Sequence, residues 1–354
     1  MQLPCSTKKQ SNNFCPEMRI GFNPQKDKQL APSEFFHQVV IPVYIPHQEG
    51  YFKDSFTILK YCLESLFKTC HDKTYVTVVN NGSCKEVVDY LNALYYQKKI
   101  HELVHTTNIG KLNAVLKGLS GQNFPLLTIT DADVLFLNGW QEATYNVYTA
   151  FPKAGVVGPV PNSKMLRYFS GNIYFDQLFS KSLQFSKVIN PKAMKEFAIS
   201  VGTPELFNSS HLDKYLTLSS NTVKVVVGSG HFVATYNRRI FDRNIENHSI
   251  FKMGSELSKF LDIKALKLDL WRLSTEENFA FHMGNVKEEW MTATLQGLHD
   301  NKESVSAPQL KPITNSKLGT WFKTEVFSRI IFRAPIWRLF LRYKGLSKEE
   351  ANTY

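Results

Sequence analysis

The run Leu126-Leu127-Thr128-Ile129-Thr130-Asp131-Ala132-Asp133-Val134-Leu135-Phe136 constrains this chain more than any other stretch. It reads as a buried parallel strand, and open α/β sheets keep their chemistry where such strands end. This one ends on two carboxylates one residue apart. Hard oxygen ligands so placed suit Mg²⁺ or Mn²⁺ with positions left open for substrate phosphates. On a solvated loop, Asp-x-Asp would carry no such meaning. Beside an apolar strand, ionised groups are costly unless something pairs with them.

Upstream of that strand, apolar runs alternate with helical patterns. Gln38-Val39-Val40-Ile41-Pro42-Val43-Tyr44 is a short strand whose proline suits its exit. Asp54 or Ser55 can cap a helix in which Ile58, Leu59, Cys62, Leu63 and Leu66 build one apolar face. Tyr75 to Val79 forms a second strand closing on Asn80-Asn81-Gly82-Ser83, a strong turn signal. Val87, Val88, Leu91 and Leu94 mark a second helix. A strand from Leu103 to Thr106 then runs into Asn108-Ile109-Gly110-Lys111 and a third helix. The alternation predicts a doubly wound nucleotide-binding half.

Val-Ile-Pro-Val-Tyr, Val-Val-Asn-Asn-Gly-Ser, Asn108 to Ala114 as Asn-x-Gly-Lys-x-x-Ala, and Asp131-Ala132-Asp133 occur in this order. The set resembles a family 2 glycosyltransferase of the GT-A fold over roughly residues 38 to 290. The resemblance implies an α/β protein with a mostly parallel central sheet, helices on both faces, and a nucleoside diphosphate sugar as donor. It implies donor contacts at Pro42, Val43, Tyr44, Asn80, Asn81, Lys111, Asp131, Ala132 and Asp133. Tyr44 either faces the base or closes the edge of the core. Asn80 and Asn81 stand where the family usually has Asp, and an amide donates as well as accepts. Lys111 follows a glycine at a helix start, where a cation and free amides favour phosphate.

Val223 to Thr235 reads as one glycine-bearing strand, similar to the family's, with Gly230 and His231 toward the donor sugar. For Trp271 to His282 two readings stand. Ser274 or Thr275 caps a helix whose first turn carries Glu276 and Glu277, or Thr275-Glu276-Glu277 resembles the family's Thr-Glu-Asp motif. The second makes Glu277 the catalytic base, with Glu276 as fallback, and puts His282 on the metal beside Asp131 and Asp133, or on the diphosphate. Residues 162 to 222, aromatic and basic, fall where the family builds its acceptor pocket.

A formal charge of +11 and a pI near 9.2 favour anionic partners without choosing among them. No run reaches the length of a membrane span, and Met1 to Asn13 lacks a signal-peptide core, so a cytoplasmic protein is expected. Five irregularly spaced cysteines argue against a disulfide framework or zinc ribbon. From Lys317 to Tyr354, cations alternate with aromatic clusters around Pro335. The pattern predicts two basic amphipathic helices, which either lie on an anionic membrane at the inner face or cover the catalytic domain. The expected layout is an extension at 1–36, a nucleotide-sugar half at 37–135, an acceptor half at 136–295 and a basic tail at 296–354.

The expected activity is transfer of one sugar, with inversion and Mn²⁺ or Mg²⁺, to a saccharide or lipid-linked acceptor in surface polysaccharide or glycolipid assembly. No Gln-x-x-Arg-Trp segment of processive synthases follows the glutamates. The rival readings are a sugar-nucleotide pyrophosphorylase, although Val43 to His47 offers no glycine-rich loop, and an inactive relative that binds membrane or nucleic acid. No specific nucleic-acid partner is expected, since that reading leaves the aspartate strand unexplained.

Overall fold

The computed structural model describes residues 21–23, 25–29, 31–241, 256–301 and 305–354, without the side chains of 256–259. The chain divides into two units, Met1–Glu34 and Phe35–Tyr354. Of the expected N-terminal extension, residues 1–20 lie outside the described residues. In the first unit the amide of Lys26 donates to the Asn23 carbonyl at 3.0 Å, closing a short turn.

Among the described residues the second unit has twelve strands: β1 (His37–Val43), β2 (Thr74–Asn81), β3 (Glu102–Thr106), β4 (Leu126–Thr130), β5 (Val134–Phe136), β6 (Ala154–Gly158), β7 (Leu183–Lys187), β8 (Lys214–Ser219), β9 (Lys224–Val227), β10 (Val233–Asn237), β11 (Trp271–Thr275) and β12 (Ala280–His282). Ten form one sheet in the order β3-β2-β1-β4-β10-β6-β11-β9-β8-β7, and β12 pairs with β5 in a small second sheet.

Helices flank both faces. Val39, Ile41 and Val43 of β1 share a core with α1 (Ser55–Thr69) and α2 (Lys85–Tyr96). Val40 points the other way, into a core with α3 (Lys111–Leu119) and the helix Glu256–Lys267. This is the period of two that a strand covered on both faces requires.

The sheet is mixed, which corrects the expectation of a mostly parallel one. β1–β2, β2–β3, β1–β4 and β6–β11 are parallel. β10 runs antiparallel between β4 and β6, and β7, β8, β9 and β11 continue antiparallel to the edge. The β8–β9 connection is a tight turn closed by Ser220 N to Val223 O at 2.8 Å, too short for a parallel crossover. The stretch Val223 to Thr235 is likewise two strands, β9 and β10, broken at Gly228. There φ is +98° and a Cβ would meet the Met165 carbonyl oxygen at 2.6 Å, so the position admits only glycine. Trp271 to Thr275 is a strand, and the capped-helix reading of Glu276 and Glu277 falls.

A buried polar network crosses the sheet away from the aspartates. His37 meets the Tyr145 hydroxyl at 2.6 Å and Thr128 Oγ1 at 2.7 Å, and His71 meets the same tyrosine at 2.8 Å. Burial holds His37 well below the ordinary histidine range and His71 down to about 4. The folded chain therefore refuses protons that the unfolded chain accepts below its histidine pKa near 6.5. Stability is full above that pH and falls as pH drops from it toward 4. For His71 alone the loss at pH 5 is about 2 kcal/mol. The melting temperature should fall between pH 7 and pH 5, and less steeply in His71→Gln.

At the C-terminus, helical residues run from Lys317 to Ile331, with a π-helical stretch at Phe322–Phe327, and continue in Ala334–Tyr343 and Lys348–Thr353. Ile331, Trp337, Phe340 and Leu341 are buried in a core shared with Tyr174. Lys323 and Lys153 both reach Asp176 and Asp269 at 2.6 to 2.9 Å, tying the first of these helices to the domain.

Candidate active site

β4 delivers Asp131 and Asp133 to the rim of the sheet, and two pairings surround them. Val233 lies opposite Thr130, so the amide of Asp131 donates to the Phe232 carbonyl at 2.7 Å and Gly230 and His231 come alongside. His282 lies opposite Val134, and the amide of Met283 donates to the Asp133 carbonyl at 2.8 Å. Ligand atoms of Asp131, Asp133 and His282 consequently all fall within 4.8 Å of one another.

The hydrogen bonds fix which nitrogen of His282 faces the carboxylates. The Ser200 hydroxyl donates to the Phe197 carbonyl at 2.8 Å, so its oxygen accepts the Nδ1 proton of His282 at 3.0 Å. The Nε2 lone pair then looks at Asp133 Oδ2 across 3.5 Å. Asp133 Oδ1 is buried with no hydrogen-bond partner among the described residues. Burial raises the Asp133 carboxyl above the usual range; His282 pulls it back only when its ring carries a charge, and Asp131 adds to the rise. Acceptors converging in this way call for a cation, and a histidine held through its far nitrogen is a common metal ligand. The residues fit Mn²⁺ or Mg²⁺.

Lys111, first residue of α3, reaches Asp131 Oδ1 at 2.6 Å. Burial works to lower its pKa, but Asp131 outweighs that and the net shift is upward. Its helix begins at Gly110, whose φ of +86° turns the chain sharply into α3.

The other expected donor contacts are placed unevenly. Tyr44 is partly exposed just past β1, edge-on to Phe52 at 5.9 Å. Pro42 is half-buried, whereas Val43 has its side chain wholly in the core, leaving only its backbone to the site. The Asn80 amide is engaged at both ends, its oxygen accepting from Ser83 N at 3.0 Å and its nitrogen meeting His105 Nδ1 at 2.9 Å. Asn81 accepts from Ile109 N at 2.9 Å and so positions the loop before Lys111. Ala132 is half-buried against the core of β1. Gly230 is half-buried, and His231 Nδ1 is 4.0 Å from Asp262.

Across the rim, the loop after β11 carries the two glutamates. Thr275 Oγ1 donates to the Glu277 carbonyl at 2.7 Å, and Phe279 N donates to Pro159 O at 2.8 Å. Glu276 pairs with Lys224 at 2.6 Å. The Glu277 side chain is exposed and makes no ion pair among the described residues.

Residues 39–216 match the sequence model of glycosyl transferase family 2. The chain belongs to this family. Comparison with curated proteins gives no match. Among solved structures, the mannosyltransferase PcManGT of Pyrobaculum calidifontis, in complex with GDP-Man and Mn²⁺, is similar at 16% identity and a TM-score of 0.41. That likeness covers 76% of this chain and spans 63% of the mannosyltransferase's length. TarS 1–349 of S. aureus is similar in complex with UDP-GlcNAc at 13% identity, covering 89% of this chain and 69% of that one. A second structure of TarS 1–349 is similar at 11% identity, covering 90% and 82%, and both TarS TM-scores are 0.41.

Within this family 2 chain, one residue near the site gave no signal in sequence. Arg272 of β11 is fully buried, pairs with Asp262 at 2.9 Å, and donates to the carbonyls of Ser229 at 2.6 Å and Tyr168 at 2.8 Å. It thereby ties the loop before β10 to the segment after β6. Breaking a buried pair leaves an uncompensated charge and costs about 3–5 kcal/mol, whereas replacing both partners with apolar groups is close to neutral. Arg272→Met should therefore lower the melting temperature sharply. Arg272→Met with Asp262→Leu should recover part of it, since the Ser229 and Tyr168 carbonyls still lose their donor, and a double variant no more stable than the single would refute the pairing.

Proposed function

We propose that this chain transfers one sugar, with inversion, from a nucleoside diphosphate sugar to an acceptor hydroxyl. The observation that supports this best is the convergence of Asp131, Asp133 and His282 within 4.8 Å beside Lys111 at the end of β4. A bound Mn²⁺ or Mg²⁺ would supply Lewis-acid neutralisation of the diphosphate as it departs. Lys111 holds a phosphate oxygen at the start of α3, and the loop fixed by Asn80 and Asn81 borders the base. Glu277 takes the acceptor's hydroxyl proton; that oxygen bonds to the anomeric carbon as the bond to the diphosphate oxygen breaks. Glu276, held by Lys224, positions the loop.

The acceptor in this reading is a saccharide or a lipid-linked saccharide of surface polysaccharide or glycolipid assembly, and the reaction runs in the cytoplasm. No helix among the described residues is long and apolar enough to cross a membrane.

Melting curves with UDP, GDP and dTDP sugars, each with and without Mn²⁺, test the proposal. One nucleotide class at a hundred times its dissociation constant should add about 2.7 kcal/mol, and only with metal. Failure of every combination would reject it.

A further inference from the structure

We propose that the outer face of the C-terminal helices is a docking surface for an anionic lipid bilayer. The sequence pattern allowed two arrangements, helices covering the domain or helices lying on a membrane, and the fold leaves room for both at once. In Ala334–Tyr343 the face bearing Trp337, Phe340 and Leu341 is buried, while Ile336, Leu339 and Tyr343 remain exposed. These three recur at i, i+3 and i+7 and form a second apolar stripe on the same helix. Leu318, Trp321 and Phe322 repeat the arrangement one helix earlier. Leu339 is 65% exposed and Trp321 54%, more than the packing of the domain requires.

Charge selects the occupant. Arg333, Arg338 and Arg342 are exposed beside the stripe and make no ion pair among the described residues. An open groove of about 450 Å³ is lined by the cations Arg342 and Lys348 together with Leu339, Tyr343 and Leu346. Exposed aliphatic and aromatic side chains on one helix suit acyl chains, and the arginines suit lipid phosphates. A single-stranded nucleic acid would want stacking rings in a basic groove instead. The Lys153, Lys323, Asp176 and Asp269 cluster anchors the inner face, so binding needs no unfolding of the tail.

Vesicle flotation of the whole chain tests this without any turnover, so its outcome is independent of the transferase reading. With phosphatidylglycerol in phosphatidylcholine at low salt, binding should be at least about ten-fold tighter than to phosphatidylcholine alone, and should weaken at high salt. Arg338→Glu with Arg342→Glu should abolish the preference for anionic vesicles. Leu339→Glu and Trp321→Glu should each weaken binding about ten-fold, with melting temperatures unchanged because both side chains face outward. A chain that stays unbound at low salt overturns the proposal, as does undiminished binding by folded variants. Self-association that these variants abolish, without vesicle binding, would assign the face to a second copy and also overturn it.

Discussion

Asp133→Ala should reduce sugar transfer by about 10³-fold or more and erase metal-dependent stabilisation by the donor. Lewis-acid stabilisation of the leaving diphosphate is worth several kcal/mol, and each 1.36 kcal/mol is a factor of ten in rate. The same substitution should act in the opposite direction on the metal-free protein. Asp133 Oδ1 is buried without a hydrogen-bond partner among the described residues, and burial already raises its carboxyl. Removing it relieves that desolvation, so the metal-free variant should melt no lower than the metal-free parent. A variant that still gains stability from donor only when Mn²⁺ is added would sink the assignment.

Glu277→Gln should lower kcat by about 10²- to 10⁴-fold, the range a positioned general base contributes, while donor stabilisation with metal stays intact. Glu276→Gln is the comparison that gives this meaning. It removes the partner of Lys224 and should loosen the loop with a smaller loss of rate. If Glu276→Gln proves the more damaging while Glu277→Gln keeps its rate, the two roles are reversed.

What was readable in the sequence was what local pattern encodes. The apolar approach to Asp131 and Asp133, and the turn from Asn108 to Lys111, signal their strand ends through neighbours a few residues away. The contacts that complete the site join positions far apart. His282 reaches Asp133 because β12 pairs with β5, and its ring is oriented by Ser200 on a helix from a third region. No periodicity marks Ser200. Arg272 gave no signal at all, because only the sheet order reveals that β11 lies between β6 and β9 and is covered. The parallel reading failed at β10, which runs antiparallel to both β4 and β6, and the glycine-bearing run concealed a break between two strands that lie apart in the sheet. The tail was ambiguous because both of its faces are apolar, and a helix pattern does not say which one the domain takes.

The position of β10 bears on how such a chain can be divided or recombined. Residues 39–216, the span shared with the family model, include β4 and β6 but not the strand that joins them. Cut out alone, that span would also lack β9 and β11, leaving β6 with no neighbour and β4 and β8 each with an open edge free to pair with other chains. The segments on either side of residue 216 are therefore not exchangeable cassettes. A chimera that grafts a new C-terminal part must bring its own central strand, and its success would depend on how that strand meets β4 before any substrate contact matters.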